Sequence, residues 1–329
     1  MLSELSQSFG DSGIQPLEAV LDPCVLGQYL CRVLPAQWGP IKDIQTKVLQ
    51  QHRASRCTVD ITLQTTTGKH EVIGKVYAKD RSDVYRAMKQ ISQSGFGPEE
   101  EFSIPQPFAF VPQLNLLLQE KVHGPLATEI FLTGSDGERA TTAERSARWL
   151  AHFHAYGPLS GPAFFLTSNL MEGWVDRLGG PYGRLASKAR LLFRRLQNTA
   201  MALRPTEMCA CHGGYWHKQI IFTETRTITF DWDNHCISDP CRDVARFIIE
   251  LKRLALKSYG SIKALDTTID VFFKSYSSTS RFEVTTNLPL YKAAVCLKRA
   301  KSHLRSAGSG PEHAEAMLDE GLRVLAEEG

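Results

Sequence analysis

The 329-residue sequence has no apolar run of 18 residues and no charged-then-apolar leader. It therefore reads as neither membrane-spanning nor secreted, and the expected location is the cytoplasm. Strong charge is missing too: 38 basic against 35 acidic side chains leave a net +3, too mild to point to nucleic acid. There is no internal repeat and no low-complexity region beyond short linkers. The eight cysteines, in a chain of this size without a leader, imply reduced thiols rather than a disulfide framework.

Three local absences matter more. Residues 50–57, Gln-Gln-His-Arg-Ala-Ser-Arg-Cys, form an expected loop without a glycine. The amphipathic helix expected over 82–94, apolar at Val84, Ala87, Met88 and Ile91 and stopped by Gly95, contains no Glu. The stretch Cys211-His212-Gly213-Gly214-Tyr215-Trp216-His217-Lys218-Gln219 has no carboxylate at all.

Around these gaps the chain is well ordered. Strands are expected around 57–63 and at Val72-Ile73-Gly74-Lys75-Val76-Tyr77, then over 104–112 and 116–124. The apolar period near Trp149, Leu150 and Phe153 marks a helix in which His154 packs as a hydrogen-bonded core histidine. Residues 220–222 pair with 227–230 in a hairpin that returns Asp231 to Gln219. That oxygen pair could hold Mg²⁺, a hard ion, and Asp231 and Asp233 could equally cap a turn. Asp239, before Pro240, is placed to cap the next helix. A helix is expected over 17–34, and a helical hairpin over 291–304 and 312–325 joined by 306–311.

The order and spacing of these segments resemble the aminoglycoside phosphotransferase family of small-molecule kinases. The resemblance rests on the loop at 211–219, the Asp231-Trp232-Asp233 turn, the hinge-like Leu117-Leu118-Gln119-Glu120-Lys121-Val122-His123-Gly124, and Asp239-Pro240-Cys241-Arg242-Asp243. It implies an α+β, two-lobed protein-kinase-like fold. A tail over 1–15 would precede a small lobe over 16–123, an antiparallel sheet with one helix, and a larger, mostly helical lobe would follow over 124–329. The cofactors implied are ATP and Mg²⁺. Lys75 would contact the nucleotide phosphates, Arg53 and Arg56 would replace part of the missing glycine loop, and the backbone of Glu120 and Val122 would face adenine. Gln219 and Asp231, with Asp233, would hold the metal, and Asp243 would brace the loop. Gly214 stands where the family has its catalytic Asp, a loss of the order of 10²- to 10⁴-fold for a positioned base. His217 is the candidate substitute base, and Lys218 could hold a transferred phosphate or an anionic acceptor. Asp83 is the nearest acidic partner for Lys75.

The acceptor is an unidentified small molecule. In this family it would sit among large-lobe helices, here 167–196 and beyond 243, and the basic run Arg177, Arg184, Lys188, Arg190, Arg194 and Arg195 reads as a solvated helix face or as a mark of a neutral or anionic acceptor. Cys209, Cys211, His212, His217, His235, Cys236 and Cys241 converge, yet their spacing fits no common zinc module and buried thiols are the competing reading. Three functions follow: an ATP-dependent phosphotransferase weakened or altered by the missing Asp, a pseudokinase that binds nucleotide or a small ligand and acts through a partner or as a sensor, or a scaffold without a nucleotide site.

Overall fold

A computed structural model describes residues 14–52, 54–178, 183–201, 206–303 and 310–327. The expected tail over 1–13, Arg53 and the linker at 306–309 lie outside these residues. Two compact units divide the chain, Met1–His123 and Gly124–Gly329.

The first unit holds an antiparallel sheet in the order Ile41–His52, Arg56–Thr65, Lys69–Tyr77, Leu116–Glu120, Pro107–Val111. Along Arg56–Thr65 every second residue, Cys57, Val59, Ile61 and Leu63, is fully buried, the period of a strand with one face on a core. The segment expected as one helix over 17–34 is two, Leu17–Leu21 and Pro23–Val33, because Asp22 accepts the N–H groups of Cys24 and Val25 and Pro23 starts a new first turn. Their residues Val20, Leu26 and Leu30 join the sheet core. Ile14, assigned to a tail, is buried there as well. The helix Ser82–Gln93 buries the four apolar residues its spacing predicts.

The glycine-free loop is shorter than expected. Gln50, Gln51 and His52 pair with Thr58, Cys57 and Arg56, so most of 50–57 is ladder. Continuing the strand keeps Cys57 aimed at the core.

In the second unit the helix Asp136–Tyr156 starts on a capping box formed by Ser135 and Glu138. Its Trp149 stacks on Phe153 at 5.3 Å and on Tyr215 at 5.6 Å between ring centroids. The helices Cys241–Tyr259, Asp266–Thr279, Leu288–His303 and Pro311–Glu327 complete the core. Gly321 lets the last helix approach closely, since a Cβ there would stand 2.8 Å from Leu192 Cδ2. Part of the basic run is spent on this packing: Lys188 pairs with Glu315 and Asp319, and Arg184 with Glu315. None of the described helices is long and apolar enough to cross a membrane.

Candidate functional site

The loop between Cys209–Cys211 and Ile220–Phe222 is anchored from below. Asp243, fully buried near the start of Cys241–Tyr259, accepts the backbone N–H of His212 at 2.6 Å and of Gly213 at 3.0 Å. Its brace is therefore through the backbone. His154 Nε2 lies 3.5 Å from the same carboxylate while Nδ1 meets the Tyr276 hydroxyl at 2.7 Å. Burial alone would lower the His154 pKa, but Asp243 and the Cys211 thiol outweigh it and lift it to about 9. Asp239 Oδ1 takes the N–H of Cys241, as an N-terminal cap should, and Oδ2 ties in Thr206 and Asn287.

The two glycines do different jobs. Gly213 sits at φ 74, and a Cβ there would come 1.9 Å from the Asn234 carbonyl oxygen. Only glycine closes that turn. Gly214 is outside the left-handed region, and a Cβ would find His212 Nδ1 at 3.7 Å, Gln219 Oε1 at 3.8 Å and Asn234 Nδ2 at 3.9 Å. A Cβ at Gly214 would therefore meet only ordinary contacts, all with polar atoms.

The hairpin brings Gln219 and Asp231 together. Phe230 N–H donates to the Gln219 carbonyl at 3.0 Å, and Gln219 Nε2 donates to Asp231 Oδ2 at 2.8 Å. Gln219 Oε1 is buried without a hydrogen-bond partner. Asp231 occupies the left-handed region at φ 72, ψ 61, a conformation that points to a constrained, functional turn. Oxygen donors of this kind suit a hard divalent cation such as Mg²⁺. Asp233 stands on the next short turn and lines a cavity rather than the Gln219 amide.

His217 does not face this gap as a base should. Its ring is buried, Nδ1 meets Thr128 Oγ1 at 2.7 Å, and the Glu250 backbone takes the other nitrogen. Burial first, then Lys218 and Arg253, pull its pKa down to about 3. The structure argues against the substitute-base expectation: the ring is neutral and its lone pair is used. Lys218 is exposed, with Nζ 5.5 Å from the Trp216 ring, which Arg246, Arg253 and Arg299 also approach.

In the first unit Lys75 is buried on Lys69–Tyr77, paired in register with Thr58 and Leu117. Asp83 is not its partner. That carboxylate is half exposed and held by Arg81 at 3.0 Å, because both lie on the solvent side of the first helical turn. Arg56 follows the tight turn, its Nη2 3.5 Å from His52 Nε2. Arg53 lies outside the described residues. The hinge strand ends at Glu120 rather than Gly124, since Lys121 turns away to Asp60 and Glu71, at 2.8 and 3.0 Å. The Glu120 N–H is given to the Gln106 carbonyl, and its Oε2 accepts the Gln106 N–H. Val122 follows, partly buried, outside the ladder.

The converging Cys and His residues separate only in part on folding, since Cys236 stays in one buried cluster with Cys209 and Cys211. Cys209 and Cys211 stand with sulfurs 3.7 Å apart beside His154, whereas His235 turns to the Trp232 carbonyl and Cys241 to that of Val284. Burial pushes the Cys211 and Cys236 thiols up, the latter to about 12, as for buried apolar groups.

Sequence reasoning missed the residues around the cavity next to Gly213 and Asn234. Arg242 and Arg246 project from one helix at the i, i+4 spacing that shares a face, and Lys298 comes from Leu288–His303. The first two were legible inside the Asp239–Asp243 motif and its continuation, but Lys298 was not.

Comparison with known proteins now bears on this site. Residues 63–277 match the model of the phosphotransferase enzyme family. No curated protein matches the sequence. Among solved structures, a choline/ethanolamine kinase family protein from Mesorhizobium loti is similar at 15 % identity and TM-score 0.58, covering 95 % of this chain and 97 % of that one. A thermostable mutant of aminoglycoside phosphotransferase APH(4)-Ia, solved with ADP and hygromycin B, shares 11 % identity at TM-score 0.60, with 92 % and 98 % covered. The amicoumacin kinase hAmiN, in complex with AMP-PNP, Ca²⁺ and Ami, shares 14 % at TM-score 0.60, with 95 % and 96 % covered. These likenesses show the α+β, two-lobed protein-kinase-like fold.

Proposed function

Because this chain belongs to the phosphotransferase enzyme family, we propose that it is a cytoplasmic, ATP-dependent phosphotransferase acting on a hydroxyl of a small molecule. The observation that carries the reading is the Gln219–Asp231 pair, with an amide oxygen buried and unpartnered beside a carboxylate held in a constrained turn. Similar proteins solved with ADP, or with AMP-PNP and Ca²⁺, support a nucleotide and a divalent ion in that place. Mg²⁺ held by Gln219 and Asp231 would neutralise phosphate charge. Lys75 contributes a further cation to the phosphates, and the Glu120 to Val122 backbone orients the base. The loop braced by Asp243 fixes where the acceptor hydroxyl stands.

Among the described residues, the loop's one histidine does not stand in for a carboxylate, because His217 is turned to Thr128. Positioning carries most of the rate in phosphoryl transfer, so a slow enzyme, down by about 10²- to 10⁴-fold, remains. Gly214 itself favours a second reading, a pseudokinase that binds nucleotide and signals through a protein partner.

Calorimetric titration with ATP, with and without Mg²⁺, separates these from a scaffold. Binding in the presence of Mg²⁺ is expected, and Asp231→Ala should remove its Mg²⁺-dependent part. No nucleotide affinity at millimolar ATP would sink both kinase-type readings, and nucleotide binding without turnover would favour the pseudokinase.

A further inference from the structure

The cavity beside Gly213 and Asn234 has a volume of about 540 Å³, within the range of small-molecule sites. Its lining includes the apolar Leu170, Trp174 and Val295. It also presents Arg242, Arg246 and Lys298, against a single lining carboxylate, Asp233. Resting on the phosphotransferase reading, we infer that this cavity is the acceptor subsite and that the acceptor is a hydroxylated organic oxyanion, a carboxylate or a phosphate ester, gripped by these three cations.

Each cation is left in want of an anion. Arg242 lies over the Phe164 ring at 3.3 Å and gives one Nη2 bond to the Gly213 carbonyl, while its Nε and Nη1 are buried with no acceptor. Arg246 reaches Glu250 at 3.1 Å, but Arg253 and Arg299 share that same carboxylate, so three guanidinium groups face one negative charge. Lys298 has no ion-pair partner among the described residues and stands 5.6 Å from the Trp174 ring. Burial first, then Arg246 and Arg242, lower its pKa to about 8. Asp243, whose charge acts on Arg242 and Arg246, is already committed to the His212 and Gly213 N–H groups and to His154.

A buried charged donor without an acceptor is destabilising, and three mutually repelling cations are more so. A bound oxyanion satisfies the Arg242 donors with charge-assisted bonds and relieves the repulsion. The apolar lining receives its carbon frame. The Arg242–Gly213 bond ties the anion-binding face to the loop that carries Gly214, so the same molecule can present a hydroxyl to that loop. An ammonium acceptor would be repelled by the same field.

Four ligands of one skeleton test this on the full chain with Mg²⁺ and a non-hydrolysable ATP analogue: gluconate, glucose 6-phosphate, glucose and glucosamine. Calorimetry is expected to show at least one of the two anions binding tenfold or more tighter than glucose and glucosamine, with affinity falling as salt rises. Preference for gluconate or for glucose 6-phosphate identifies the carboxylate or the phosphate as the source. Lys298→Met should weaken the anion at least tenfold while leaving nucleotide affinity and melting temperature unchanged. The inference is overturned if neither anion binds, if glucose or glucosamine binds as well, or if Lys298→Met binds the anion like wild type. Nucleotide binding in the same samples tells the two failures apart: retained, only the oxyanion inference falls, and lost, the phosphotransferase reading falls with it.

Discussion

Asp243 Oδ2 accepts the backbone N–H of His212 at 2.6 Å, and through that bond a buried helix residue sets the shape of the loop carrying Gly214. The neighbouring Gly213 N–H goes to Oδ1, so one carboxylate holds both donors. His154 completes the arrangement as a cation beside the carboxylate.

Asp243→Ala should therefore unfold the loop's support. Two buried N–H groups and a buried imidazolium would lose their partner, and losses of this type are worth about 3–5 kcal/mol. Urea unfolding is the measurement. Asp243→Asn, which keeps an acceptor oxygen but not the charge, should lose less, and equal loss in both would show that the charge, not the hydrogen bonds, carries the effect.

Neighbouring glycines should respond oppositely. Gly214→Asp has room for its Cβ, with nearest atoms at 3.7 to 3.9 Å, and no positive φ to resist it. It should fold like wild type and raise turnover by about 10²-fold or more if the rest of the site is competent. Gly213→Ala would drive a Cβ into the Asn234 carbonyl and should melt at a clearly lower temperature. Thermal melting and ATPase rate on both variants decide it.

Stability should peak near the ordinary histidine pKa of about 6.5. The His154 pKa is raised to about 9, so its contribution is complete below 6.5 and is lost as pH rises from there through 9. The opposite holds for His217, lowered to about 3, and His303, lowered to about 4. Their contribution is complete above 6.5 and is lost as pH falls from there toward those values. Each titrating group adds a slope of about 1.4 kcal/mol per pH unit. Denaturant midpoints followed from pH 4 to 9.5 should show both limbs, and His154→Gln should flatten the alkaline one alone.

Much of the site could be read along the chain because its parts are local. The loop at 211–219, the hairpin and the Asp231 turn lie within about twenty residues, and strand pairing returns Asp231 to Gln219 by geometry that alternation and a short turn already specify. The helix over 82–94 and the buried strand residues follow from period alone. Asp83 failed as a partner for Lys75 because sequence nearness says nothing of direction, and Arg81 two residues away holds it on the solvent side. His217 failed for a related reason: a histidine in the right loop becomes a base only if its lone pair is free, and Thr128, 89 residues away, takes it.

By itself the sequence determined the order of elements, the absence of a carboxylate from 211–219, and the pairing of Gln219 with Asp231, all of which depend on neighbours a few residues apart. The tertiary structure alone decided that the position at Gly214 can take a Cβ while Gly213 cannot, that His217 is neutral, and that the charge of the cavity beside Gly213 comes from Arg242, Arg246 and Lys298 instead of the basic run at 177–195. Those properties are burial, direction and summed charge. They arise where helices distant in sequence meet, and no spacing along one segment encodes them.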